Sequence, residues 1–237
     1  MERTLKHFLK TAVLPLGSTM YIYGGGWDTM DHGAGTDART LGVSPLWCEF
    51  FEQQNENYQY KDHLYEREHG LDCSGYVGWV VYNTMETENG RLGYITKAQS
   101  MAEDFARRGW GSFTEKGEVK DYCPGDIMSG TDHVWIALGQ YADGSVLLLH
   151  SSPPGVILSG TVTENGDPHS EAPAVAEEIM ASFYPRWHRK YPCYLRGVSY
   201  LSDYDRFRWD LKNGPLTDPD GCGIMSPNQL INHLFRE

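Results

Sequence analysis

Cys73 follows Asp72 and opens the run Ser74-Gly75-Tyr76-Val77-Gly78-Trp79-Val80-Val81-Tyr82, which as a helix is apolar on nearly every side. A cysteine in the first turn of a helix meets unpaired N–H groups and the positive end of the macrodipole, which favour thiolate over thiol, and the thiolate is the nucleophile. Cysteine is also among the most buried residue types, so the run taken alone equally describes packing. Downstream, Asp132-His133-Val134-Trp135-Ile136-Ala137-Leu138-Gly139-Gln140 and Ser145-Val146-Leu147-Leu148-Leu149-His150 flank the polar turn Tyr141-Ala142-Asp143-Gly144. A thiol needs an imidazole to take its proton, and the imidazole needs a third group to fix its tautomer and ring plane. Cys73, His133 and His150 supply nucleophile, base and orienter in that order. The same three side chains also suit a zinc site by ligand preference.

Two elements must bring these groups together. The helix carries the sulfur, and a β-hairpin carries both imidazoles. If Tyr141–Gly144 form a four-residue loop, Gln140 faces Ser145 and His150 faces Trp135. His133 then shares a sheet face with His150 at about 7–8 Å by diagonal pairing, whereas an odd-length loop puts the two on opposite faces.

With Asp72-Cys73-Ser74-Gly75, the Pro124-Gly125-Asp126 turn, His133 at a strand start, His150 on the next strand, and Tyr21-Ile22-Tyr23-Gly24-Gly25 upstream, the chain resembles the NlpC-type cell-wall cysteine peptidases, a papain-like family. The motifs lie in residues 18–26 and 70–155. The resemblance implies an α+β, papain-like fold in which a small antiparallel sheet packs against the nucleophile-bearing helix. It implies one domain over 1–237, with a core of 5–27 and 70–155, an insertion at 28–69 and a C-terminal extension at 156–237 that drapes over the groove. The implied activity is hydrolysis of the γ-D-glutamyl–diamino acid bond of peptidoglycan stem peptides through a thioester, without a cofactor or metal. By the same resemblance Tyr21 lines the substrate groove, and Tyr21, Asp72 and Ser74 match positions that hold the free amine of an N-terminal L-Ala. A carboxylate and two hydroxyls can satisfy an ammonium's three donors. Asp72 and Ser74 read equally well as a helix cap, and Tyr21 as a core aromatic before a glycine turn. A papain-like amidase or acyltransferase on another substrate, or a non-catalytic wall-peptide binding module, fits the same motifs.

Composition sets the outer bounds. The 237 residues are 40% hydrophobic and 13% aromatic, enough for a folded core. A net charge of −12 argues against a nucleic-acid partner, and no stretch approaches 18 apolar residues, so nothing is expected to span a membrane. Five cysteines without C-x-x-C spacing argue against a disulfide framework or a zinc ribbon. The N-terminus lacks the apolar segment and cleavage site of a secretory leader, so the chain as it stands is expected in the cytoplasm, or in the wall if a leader was removed. Asp28, Asp31, His32 and Asp37 could gather a cation, but Asp and Gly are ordinary turn residues. Gly24-Gly25-Gly26 lacks the lysine and following helix of a phosphate cradle.

Apolar spacing predicts helices near 5–13, 45–54, 100–109 and 172–184, and one beginning at Ser226-Pro227. Residues 156–170 read as a loop or short hairpin. Arg186-Trp187-His188-Arg189-Lys190-Tyr191 is a basic cluster that either meets substrate carboxylates or simply compensates a helix C-terminus.

Overall fold

The computed structural model describes residues 2–28, 33–87 and 93–236. Its helices are α1 (Leu5–Val13), α2 (Pro45–Gln53), α3 (Cys73–Met85), α4 (Met101–Arg107), α5 (Glu171–Phe183), α6 (Pro185–Lys190), α7 (Ser199–Ser202) and α8 (Pro227–Phe235). A two-stranded ladder joins β1 (Trp27–Asp28) to β2 (Gly33–Ala34). The main sheet has seven strands: β3 (Gly111–Thr114), β4 (Ile127–Ser129), β5 (Val134–Gln140), β6 (Val146–Ser152), β7 (Gly155–Thr161), β8 (Leu195–Arg196) and β9 (Asp205–Trp209). Their spatial order is β3-β9-β4-β5-β6-β7-β8, antiparallel throughout except for the parallel β7–β8 pair. The fold is therefore α+β, with a sheet larger than expected and mixed in direction.

Chain beyond residue 155 accounts for most of that difference. β7 replaces the expected loop and is buried along its whole length, and β9 inserts between β3 and β4. Both escape a local reading. Ser159, Gly160 and Thr161 blunt the apolar signal of β7, while Arg206 and Arg208 alternate with Phe207 and Trp209 in β9. The β9 arginines find partners on the sheet, since Arg208 forms a two-pronged pair with the buried Asp126 at 2.8 and 2.7 Å. Asp126 also accepts the Cys123 N–H at 2.8 Å and so closes the Pro124-Gly125 turn.

Helix α3 is buried at all thirteen positions, as a run apolar on every side requires. It packs against α1 on one side and β5 and β6 on the other. Glycine makes its first turn possible. A Cβ on Gly75 would sit 2.1 Å from the Gly25 carbonyl oxygen, and one on Gly26, at φ +95°, would sit 2.6 Å from the Gly75 Cα. The Gly24-Gly25-Gly26 run is thus a backbone seam that brings Tyr21 and Tyr23 up to Cys73.

The basic cluster after α5 is structural in large part. Lys190 Nζ donates to the Gln54 carbonyl at 2.7 Å and Phe51 at 3.4 Å, at the C-terminal end of α2, and Arg186 pairs with Glu52. Lysine there satisfies orphan carbonyls and the helix dipole together. Of the four residues considered for a cation, Asp31 and His32 lie outside the described residues. Asp37 accepts the Gly26 N–H at 3.1 Å. Among the described residues no group of His, Cys, Asp or Glu is arranged to hold a metal, all five cysteines are unpaired, and no helix is long and apolar enough to cross a membrane.

Candidate active site

The hairpin reaches the expected register by an unexpected route. Gln140 pairs with Val146, so the loop has five residues, the odd length that would separate the histidines. A β-bulge between Ala137 and Gly139 then inserts one extra residue, Leu138, and Ile136 pairs with Leu149. The two one-residue offsets cancel. Gly139, at φ +126°, supplies the backbone conformation that the bulge needs. His133 Nε2 consequently lies 2.9 Å from His150 Nδ1.

Cys73 occupies the first position of α3. Asp72 caps the helix by accepting the Gly75 N–H at 2.7 Å, as its side-chain type suggested. Cys73 is only 7% exposed, and its sulfur sits 3.9 Å from the Asp132 carbonyl oxygen. The Val134 N–H also points at it, so the backbone on both sides of His133 brackets the thiol. With His133 Nε2 engaged by His150, Nδ1 is the nitrogen left for the sulfur.

Electrostatics correct the sequence expectation of a thiolate. Burial, and secondarily the negative charge of Asp72, push the Cys73 thiol up to about 12, and these outweigh the N–H groups that favour ionisation. Burial, with the Arg196 charge behind it, pulls His133 down to about 3, and the fully buried His150 is lowered for the same reasons. Thiol and imidazoles are all neutral at rest. Proton transfer must wait for an event that rewards charge separation.

Tyr21, Asp72 and Ser74 all line one cleft with Cys73, of about 500 Å³. Ser74 Oγ donates to Asp72 Oδ1 at 2.9 Å and receives the Trp27 indole N–H at 2.9 Å. Burial raises the Asp72 carboxyl to about 6, with hydrogen bonds from Gly75 and Ser74 working against the rise. The Tyr21 hydroxyl has no hydrogen-bond partner among the described residues. Burial raises its pKa, and the Cys73 and Asp72 charges add to the rise. Because Asp72 takes the Gly75 N–H, the N–H of Cys73 itself is the first-turn donor left for a developing oxyanion.

Several residues of the site lay outside the sequence reading. Ser159 of β7 and Arg196 of β8 approach His150 Nε2 at 3.1 Å each, and Tyr200 OH lies 3.4 Å from His150 Nδ1. Tyr200 and Tyr204 also stand edge-on to the His133 ring, at 5.8 and 6.4 Å between centroids. The segment 195–204 therefore covers His150, which is fully buried, and stands against one side of His133, which stays partly exposed. From the chain between the glycine seam and α3 come Trp27, Tyr65 and Arg67, and Lys97 faces the same cleft. Arg67 makes no hydrogen bond or ion pair among the described residues, its Nε is buried, and its guanidinium rests 6.0 Å from the Tyr65 ring. No local pattern in the sequence marks this wall, since Arg67 and Tyr65 reach the cleft only through the fold of the chain before α3.

Comparison with protein-family models, with curated proteins and with solved structures returns no match. The chemistry of the site rests on its own geometry.

Proposed function

We propose that the chain is a papain-like cysteine peptidase of the NlpC type that hydrolyses the γ-D-glutamyl–diamino acid bond of peptidoglycan-derived peptides. The observation that supports the reading is a helix-start thiol in a cleft, 3.9 Å from the Asp132 carbonyl oxygen, with the next residue, His133, hydrogen-bonded to His150. Cys73 attacks the carbonyl, His133 takes the thiol proton and returns it to the leaving amine, and His150 orients His133. Water then cleaves the thioester. The Cys73 N–H and the unengaged Tyr21 hydroxyl are the donors for the oxyanion. Asp72, with Ser74 and Tyr21 beside it, receives the N-terminal amine, and Arg67 meets a substrate carboxylate. A cleft of about 500 Å³ lined by Tyr21, Tyr23, Trp27 and Tyr65 suits soluble muropeptides as substrates.

Incubation with L-Ala-γ-D-Glu-diamino acid peptides tests the reading, with products resolved by mass spectrometry. Release of the diamino acid by wild type and not by Cys73→Ala is the expected result, and intact peptide after exposure to reduced wild type contradicts it. A non-catalytic peptide-binding module is the second reading, favoured by the neutral resting state of Cys73 and His133. It predicts saturable binding of the same peptides with no product.

A further inference from the structure

Four groups surround His150, and only one dictates its tautomer. Ser159 Oγ and Tyr200 OH can each donate or accept, so they serve either form of the ring. His133 Nε2 can also play both parts. Arg196 Nε, 3.1 Å from His150 Nε2, is a donor only. A donor at that place requires the lone pair on His150 Nε2, which puts the proton of the neutral ring on Nδ1. That N–H donates to His133 Nε2, and neutral His133 must then carry its own proton on Nδ1. This is the nitrogen left for Cys73, and it has no lone pair to offer the thiol.

We infer that Arg196 is a tautomer lock on the base, holding His133 in the form that cannot accept the Cys73 proton until the guanidinium leaves His150. The inference rests on the nucleophile–base reading above and extends it to a positioning residue supplied by β8. Once Arg196 withdraws, His150 Nε2–H donates to Ser159 Oγ and its Nδ1 accepts from His133 Nε2–H. His133 Nδ1 then carries a lone pair, and on the nucleophile–base reading the thiol proton can move onto it with the S–H electron pair staying on sulfur. The same arrangement gives the resulting imidazolium an acceptor for its second N–H. Arg196 is free to leave. Its other hydrogen bond is to the Leu195 carbonyl at 3.3 Å, and it pairs with no carboxylate among the described residues despite the acidic chain. An acidic group on a bound peptide would compete for it.

The test is the rate of Cys73 alkylation by iodoacetamide at pH 7, read by peptide mass spectrometry against Cys48 in the same sample. Arg196→Met keeps the stem and removes every donor, and is expected to alkylate Cys73 at least about 10-fold faster than wild type, the equivalent of one pKa unit of added thiolate. Arg196→Lys retains a donor-only cation and falls between the two. The gain must disappear in Arg196→Met/His133→Ala, since it is transmitted through His133. A rate equal to or below wild type in Arg196→Met, or a gain that survives loss of His133, overturns the lock. The nucleophile–base reading fails separately, if His133→Ala hydrolyses the peptide at the wild-type rate, since the lock already keeps His133 from the thiol in the resting enzyme and leaves its alkylation rate uninformative.

Discussion

The Trp27 indole N–H donates to Ser74 Oγ at 2.9 Å, and Ser74 passes its own proton to Asp72 Oδ1 at 2.9 Å. Ser74 is therefore pinned from both sides, and its hydroxyl meets an incoming amine only with its remaining lone pair. Trp27→Phe removes the donor and keeps the aromatic wall. One neutral hydrogen bond contributes about 1 kcal/mol, so KM for peptides with a free N-terminal L-Ala should rise about 5-fold with kcat nearly unchanged. Steady-state kinetics on free and N-acetylated peptides read it, and equal effects on both would remove Trp27 from amine recognition.

The bulge is the second point of leverage. Gly139 sits at φ +126°, and a Cβ there would lie 3.2 Å from Pro227 Cγ at the start of α8. Gly139→Ala should lower stability by about 1–3 kcal/mol in urea unfolding. Deleting Leu138 removes the bulge but leaves Gly139 opposite Leu147, Ala137 opposite Leu148 and Ile136 opposite Leu149, so His133 and His150 keep one face. A protein that is folded by circular dichroism should therefore retain turnover, and loss of turnover would mean that the bulge itself positions the histidines.

How much of this could be read before the fold was known depends on distance along the chain. The α3 helix and its Asp72 cap follow from local patterning, since side-chain period and apolar spacing act over a few residues, whereas the histidine register rests in the sequence on a four-residue loop that the structure replaces with a five-residue loop and a compensating bulge. The loop length did not follow, because the extra residue at Leu138 is a feature of strand pairing that no local pattern marks. Ser159, Arg196 and Tyr200 were invisible for a related reason: β7, β8 and α7 reach His150 only through sheet order, which no local pattern specifies. The thiolate expectation failed on magnitude. Helix-terminal charge is worth about 1–2 kcal/mol at most, and burial of the thiol outweighs it.

Acid should destabilise the protein through its histidines. Both imidazoles have lowered folded-state pKa values, so as pH falls below about 6.5 the unfolded chain binds protons that the folded chain refuses. Between pH 7 and pH 5 His133, with its folded-state value near 3, contributes a loss of about 2 kcal/mol, and His150 acts in the same direction. Asp72 acts in the opposite sense, because its carboxyl is raised to about 6 and the folded state takes up that proton first, returning about 1 kcal/mol. Urea midpoints at the two pH values should show the net loss, and His150→Gln should flatten the dependence. A pH-independent wild-type midpoint would contradict the buried neutral pair.

Tyr21 and Arg67 separate chemistry from binding. Loss of one oxyanion donor costs about 3–4 kcal/mol of transition-state stabilisation, so Tyr21→Phe should lower kcat by about 10²–10³-fold on N-acetylated peptides with KM little changed, and any KM rise should be confined to peptides with a free N-terminal amine. Arg67→Met should instead raise KM about 10-fold or more for substrates with free carboxylates and leave their amides unaffected. The opposite split, with Arg67→Met acting on kcat alone, would move Arg67 out of substrate binding.

The central claim is that the Cys73 sulfur becomes the acyl carrier. Acid quench of wild type mixed with excess L-Ala-γ-D-Glu-diamino acid peptide, followed by mass spectrometry of the enzyme, reads it directly. A mass increase equal to the L-Ala-γ-D-Glu acyl group, mapped to Cys73 and absent from Cys73→Ala, is the predicted result. Peptide cleavage that proceeds without any adduct and survives Cys73→Ala would contradict the account.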